Sequence, residues 1–302
     1  MSANHGRMGR MMIWSKLTLV QAMMVGVVSS TGASLMGQTL KPQGEYMTFA
    51  LSTVEWGREW DLLQLVESLE TAGVKQVELG AGHGHGVLPV LSPEERTALR
   101  EQFEEAGVAV VGMRVDVAFD AVDKAALATA VDQVKQHVRL GHDVGGSGVR
   151  VRLGDLKGDE ALIEQTVKML RELGDFAVGF GQEIRVEAQA GTGNVADLIA
   201  VLKAVDQDQV RAAFGVGNGA LTAKGVEEEF KLVQDYLGSV VLVDMQEEGD
   251  VEAYDALAKL LVEVDFEGRV LLTTKAEVGD AVTATGRQKV LWDQRVKKAR
   301  MP

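Results

Sequence analysis

Glu187 and Gln189 close the alternating run Glu183–Gln189 (EIRVEAQ), just before the glycine-rich turn Gly191-Thr192-Gly193. A carboxylate at such a point can take a proton from carbon or accept a bond from a hydroxyl. Other polar residues sit at the ends of apolar runs. His83 and His85 lie two apart in the glycine-rich stretch Gly80–Val90, where imidazoles can bind a polar ligand or a metal. Arg150 and Arg152 alternate with valine in GVRVRL, with Arg152 nearer the end. Asn218, Asp244 and Lys275 follow later apolar runs. We take Glu187 as the candidate catalytic base, and His83, His85, Arg152, Gln189, Asn218, Asp244 and Lys275 as candidate substrate-binding residues. Each has a plainer reading. Glu187 with Arg152 would make a structural ion pair, the two histidines would be ordinary loop residues, and Lys275 would be solvated.

The elements that must position these residues alternate along the chain. Expected strands cover Met47–Thr53, Val74–Leu79, Val108–Val115, Gly148–Leu153, Glu183–Gln189, Val210–Val216, Val240–Met245 and Arg269–Thr274. Expected helices cover Arg58–Ala72, Ser92–Ala106, Val122–Val144, Asp159–Phe180, Val195–Val205, Gly225–Leu237, Val251–Val264 and Thr285–Arg300. Pro93 suits a first helical turn, Asn194 can cap Val195–Val205, and the last helix ends in basic residues that suit its dipole. Strand and helix recur at a spacing of about 30 residues, which implies parallel strands joined by crossover helices. The expected fold is α/β: a (β/α)8 TIM barrel, parallel strands inside and helices outside, with its chemistry at the C-terminal strand ends. An open doubly wound sheet is the alternative. It usually carries a glycine-rich turn after the first strand, where this chain has STVEWG (Ser52–Gly57). No P-loop or Gly-x-Ser-x-Gly elbow is present.

Composition narrows the function. The formal net charge of −13 opposes a nucleic-acid partner, since phosphate binding needs a basic surface. The absence of cysteine removes disulfides, thiol nucleophiles and Cys-ligated zinc or iron–sulfur centres. Residues 1–37 read as a leader: Arg7, Arg10 and Lys16, then the mostly apolar Leu17–Val28, then the small residues SSTGAS (Ser29–Ser34). Residues 38–46 read as a linker and 47–302 as the barrel. On this reading the protein is exported, to the periplasm or beyond, and the mature chain has no membrane span. If translation starts at Met47, the protein is cytoplasmic.

With the strand ends in place, the chain resembles the xylose isomerase-like TIM barrels, a family of sugar isomerases and epimerases, inosose dehydratases and endonuclease IV-type repair enzymes. The likeness rests on VELGAGHGHGVLPVLSPEER (Val77–Arg96), LGHDVGGSGVRVR (Leu140–Arg152) and GQEIRVEAQAGTGN (Gly181–Asn194). The resemblance implies a divalent metal, Mn²⁺, Mg²⁺ or Zn²⁺, at the barrel mouth. It would be held by a Glu ending strand five, an Asp ending strand six, a His on strand seven and a Glu ending strand eight. There the metal polarises an open sugar while two glutamates move a proton between adjacent carbons. Glu187 matches the strand-five ligand. Asn218 or Gly219 stands for the Asp, Val241 for the His, and Thr273 or Thr274 for the second Glu, with Glu277 a few residues on. One strong ligand of the set remains.

Two functional readings follow. One is a sugar isomerase- or epimerase-like protein that acts on or binds a carbohydrate or sugar derivative, with a degenerate metal site. The other is a non-catalytic barrel that has lost the family's activity and holds a carbohydrate or a partner. No cofactor is expected beyond the metal that the resemblance implies, and an oligomer is compatible with either reading.

Overall fold

The computed structural model describes residues 47–120, 123–189, 195–217, 222–243, 245, 251–274 and 278–301, without the side chain of Gln189. The leader and linker therefore lie outside the described residues. So do Asn218, Gly219, Asp244, Lys275 and Glu277 among the residues singled out above.

Among the described residues, strand and helix alternate through eight pairs. The strands are β1 Thr48–Ser52, β2 Gln76–Gly80, β3 Ala109–Arg114, β4 Gly148–Arg152, β5 Glu183–Gln189, β6 Val210–Gly217, β7 Leu237–Val243 and β8 Arg269–Thr273. The helices are α1 Leu62–Ala72, α2 Pro93–Glu105, α3 Lys124–Asp143, α4 Glu160–Val178, α5 Val195–Val205, α6 Ala223–Val233, α7 Val251–Glu263 and α8 Ala281–Ala299. All strands pair in parallel in chain order, and β8 returns to β1 to close the barrel.

The helix starts have a common cause. A short polar side chain at the end of the preceding loop accepts the first free backbone N–H groups: Asp61, Ser92, Asp123, Asp159, Thr222 and Asp280 for α1, α2, α3, α4, α6 and α8. These caps move two boundaries by four residues from their expected places. Asp61 starts α1 at Leu62 rather than Arg58, and Asp280 starts α8 at Ala281 rather than Thr285. The helix α6 stops at Val233, a single 3₁₀ turn follows over Gln234–Tyr236, and β7 starts at Leu237 rather than Val240.

Two apolar regions result. The larger packs the outward faces of the strands against the helices, with Leu65, Leu69, Phe103, Leu170, Phe214, Phe230 and Tyr254 among its buried side chains. The smaller fills the middle of the barrel with Ala50, Val111, Ala213, Val241, Val243 and Leu271. Burial of this kind stabilises by about 25 cal/mol per Å² of apolar surface removed from water.

The barrel interior is not apolar throughout. Near the N-terminal strand ends, the fully buried Arg185 forms a floor. Its Nε donates to Glu183 at 2.9 Å, its Nη1 to the Val111 carbonyl at 3.1 Å and its Nη2 to Ser147 Oγ at 3.0 Å. Toward the C-terminal ends, Arg150 forms a second polar layer.

Candidate functional site

Strand register decides what meets at the mouth. Ser52 pairs with Glu78, Arg114 with Arg150 and Arg152 with Glu187. Between β2 and β3 the register shifts after Val77, so that Glu78 faces Gly112 and Val111 is passed over. Such a bulge re-aims the side chains around it. Here it accompanies a carboxylate, Glu78, buried in the barrel interior.

Arg150 ties the layer together. Its Nε donates to Glu78 Oε1 at 2.9 Å, its Nη2 to Ser52 Oγ at 3.0 Å and its Nη1 to Glu187 Oε2 at 2.5 Å. Ser52 Oγ donates in turn to Glu78 Oε2 at 2.6 Å. A planar guanidinium with five donors suits this bridging geometry. Burial would raise the Glu78 carboxyl, but the charge and hydrogen bonds of Arg150, with that of Ser52, outweigh it and hold Glu78 below the ordinary carboxylate value. Burial works against the Arg150 charge as well. Glu78 and Glu187 more than offset it, so Arg150 stays cationic. Arg114 Nε stands 3.4 Å from the same Oε2 of Glu187.

Above this layer opens a cleft of ≈ 440 Å³ at the C-terminal strand ends. Arg114, Asp116, Arg150, Arg152 and Glu187 line one side, Val243, Thr273 and Thr274 another, and Glu55, Arg58 and His83 the rim. Glu187 thus faces the mouth, as expected, with its side chain 17% exposed. Among the described residues its cationic partners differ from the expected Arg152. Arg150 and Arg114 take Glu187, while Arg152, half exposed, pairs with Asp116 at 2.9 Å. The reason is strand geometry. Arg150 lies deeper on β4 and points into the barrel, whereas Arg152 ends the strand where solvent competes.

The two histidines separate. His83 lines the cleft rim, and burial, only partly opposed by a hydrogen bond with the Thr53 backbone, lowers its imidazole below the ordinary value. Its ring packs on Gly80, where any Cβ would collide with it. His85, by contrast, is buried inside its own loop. Its Nε2 lies 3.0 Å from the Gly80 carbonyl and its Nδ1 accepts the Val87 N–H at 3.2 Å. The structure thus makes His85 a staple of the loop rather than a lining residue. Accepting at Nδ1 requires the neutral ring, and burial, with the adjacent His83, pushes His85 down to about 4.

The described residues do not suit the metal that the family resemblance implies. No three His, Asp or Glu side chains cluster among them. Val241 is fully buried in the apolar middle of the barrel, and Thr273 and Thr274 line the cleft where a carboxylate would be needed. The matching ligand, Glu187, already has a guanidinium at 2.5 Å and a second at 3.4 Å. With the described residues alone, a divalent cation there would meet two positive charges with too few oxygen ligands to offset its dehydration.

Ser52, Glu78 and Arg114 were not singled out from the sequence. The signal available was position: Glu78 ends a strand in VELG, and Arg150 shares a face with Arg152 in GVRVR.

Comparison with known proteins agrees with this architecture. A family model described as xylose isomerase-like TIM barrel matches residues 66–293. An L-ribulose 3-epimerase structure shares 13% identity, covering 84% of this chain and 96% of its own, with a TM-score of 0.69. The D-psicose 3-epimerase of Clostridium cellulolyticum H10, solved with D-tagatose, shares 14% identity over 84% of this chain and 96% of its own, with a TM-score of 0.62. A xylose isomerase-like TIM barrel protein from Mycobacterium smegmatis, solved in complex with magnesium, shares 17% identity over 80% of this chain and 89% of its own, with a TM-score of 0.57. No curated protein sequence matches the chain.

Proposed function

The chain belongs to the xylose isomerase-like TIM barrel family, and on that premise we propose that its barrel mouth binds a carbohydrate or sugar derivative through an arginine–carboxylate layer in place of a metal. One observation carries this reading. The carboxylate that matches the family's strand-five ligand is bridged by Arg150 to a second, buried carboxylate, Glu78. A fixed guanidinium thus stands where the family pattern would set a cation. Guanidinium and carboxylate groups both make strong, directional bonds to hydroxyls. The cleft can therefore orient a polyol with Arg150 beneath it and Glu187 beside it.

Epimerase-like turnover is a second reading, and one feature favours it. Both cationic contacts of Glu187 fall on Oε2, and among the described residues no hydrogen bond reaches Oε1. Among the described residues that oxygen is open to a substrate C–H or O–H.

The test is a set of neutral sugars and sugar acids titrated calorimetrically into the protein and into Glu187→Gln, with proton NMR in D₂O to follow exchange at carbon. Binding is expected to weaken by roughly tenfold or more in the variant, the range for a charged hydrogen bond. Exchange that vanishes with Glu187→Gln would establish turnover. Unchanged affinity together with a large loss of thermal stability would reject both readings and leave Glu187 as an ion-pair member.

A further inference from the structure

Three guanidiniums converge on one side of the cleft from adjacent strands: Arg114 of β3, with Arg150 and Arg152 of β4. They are unequally satisfied. Arg150 is engaged through all three of its nitrogens by Glu78, Ser52 and Glu187. Arg114 is only 9% exposed, yet its Nε makes no hydrogen bond among the described residues, and its carboxylate neighbours Glu187 and Asp116 stand off at 3.4 and 3.5 Å. Among the described residues its one good bond runs from Nη1 to the Val115 carbonyl at 2.8 Å. Burial and the adjacent Arg150 lower Arg114 below the ordinary guanidinium value, and Glu187, Glu78 and Asp116 do not make up the difference. A buried cation with incomplete compensation is costly unless something completes it.

Asp116 shows what completes it in part. Its Oδ1 lies 2.9 Å from Arg152 Nε and 3.5 Å from Arg114 Nη1, while its side chain is 79% exposed. A solvated carboxylate held between two arginines at the wall of a cleft is a group that another oxyanion can displace.

We propose that the cleft selects an acidic sugar derivative, whose carboxylate or phosphate oxygens sit between Arg114 and Arg152 in place of Asp116 Oδ1. This rests on the carbohydrate reading above and adds the charge of the ligand to it. The sugar body then lies toward Glu187 and Arg150. The acid group faces the exposed Arg152, where it enters without stripping a buried pair.

The experiment titrates D-fructose, D-fructose 6-phosphate, D-gluconate and inorganic phosphate into the full chain by calorimetry, in low and in high NaCl. At least one acidic sugar should bind roughly tenfold or more tightly than D-fructose, as a charged hydrogen-bonding site requires. That preference should shrink in high salt. Preference for D-gluconate alone assigns a carboxylate, and for D-fructose 6-phosphate alone a phosphate. Arg152→Ala, at an exposed position, should remove the preference for the acidic sugars over D-fructose. Asp116→Asn should strengthen acid binding by a few-fold, because the internal competitor is gone. Equal affinity for D-fructose and the acids overturns the inference and leaves the carbohydrate reading standing. The inference is equally overturned if Asp116→Asn weakens acid binding, if Arg152→Ala keeps the preference, or if inorganic phosphate binds as tightly as the sugar phosphate. If none of the sugars binds, the carbohydrate reading falls and this inference falls with it.

Discussion

Replacing Arg150 by methionine is the sharpest perturbation of this barrel. Methionine fills much of the same space with apolar atoms but removes every donor that Glu78 receives apart from Ser52 Oγ. Glu78 is fully buried, so its charge would remain inside the protein without its bonded counter-ion, leaving only the Ser52 hydroxyl and the charge of Arg114 to offset it. Breaking a buried pair from one side costs about 3–5 kcal/mol. In a domain of this size that is a fall of roughly 6–20 °C in the unfolding midpoint. The pH dependence separates this cause from simple loss of packing. In the native protein Arg150 holds Glu78 below its ordinary value, so the pair's contribution is present above that value and is lost as pH falls through the lowered one. In the variant burial is opposed only by the Ser52 hydrogen bond and the charge of Arg114, and Glu78 is expected to rise. The charge penalty is then present at neutral pH and is relieved as the carboxyl protonates on acidification. The stability difference between Arg150→Met and the native chain should therefore be largest near neutrality and shrink as pH falls toward 5. Adding Glu78→Gln should recover part of the loss at neutral pH, because the charge itself is gone. Denaturant melts across that range measure both effects. A deficit under about 1 kcal/mol, or one that does not change with pH, would refute the argument that an uncompensated charge sets the cost.

His85 gives a second pH signature. Its ring titrates at about 4 in the fold against an ordinary 6.5, so its contribution is present above 6.5 and is lost as pH falls toward 4. This amounts to about 3 kcal/mol at most. His85→Gln should flatten the native chain's stability profile across that window, and an unchanged slope in denaturant melts would contradict the staple role. Elemental analysis of the purified barrel should find no stoichiometric Mn, Mg or Zn. About one tightly held ion per chain would show that residues beyond those described rebuild a ligand set.

The fold was legible because its periodicities are strong. GVRVRL, VVLVDM and RVLLTT read as buried strands, and the capped, amphipathic runs between them read as helices. Closure of β8 on β1 followed from the number of units. The candidate site was legible only in part. Glu187 announced itself by ending a strand before a glycine turn. Its partner did not, because Arg150 and Arg152 share a strand face and differ only in depth, which sequence does not record. Glu78 escaped because an inward carboxylate within an apolar run resembles an ordinary strand end until register sets Arg150 beside it. The shift after Val77 has no signature in VELG. His83 and His85 are equivalent as letters in GHGHG. Local turns send one to the cleft and the other into the loop.

The polar layer around Arg150 also bears on how the chain is made. Its bonds join Ser52 to Glu78 across 26 positions, Glu78 to Arg150 across 72 and Ser52 to Arg150 across 98, all within the first four strands. Only Glu187, a further 37 positions on, comes from the second half of the barrel. During synthesis Glu78 therefore exists for dozens of residues without its arginine. An unpaired carboxylate resists leaving water, so an early collapse that buries β2 without β4 is penalised. Once β4 has emerged, a guanidinium paired with Glu78 would still leave Nη1 without its Glu187 acceptor. Burying that unpaired donor in a half-barrel of four strands would cost free energy that pairing with β5 removes.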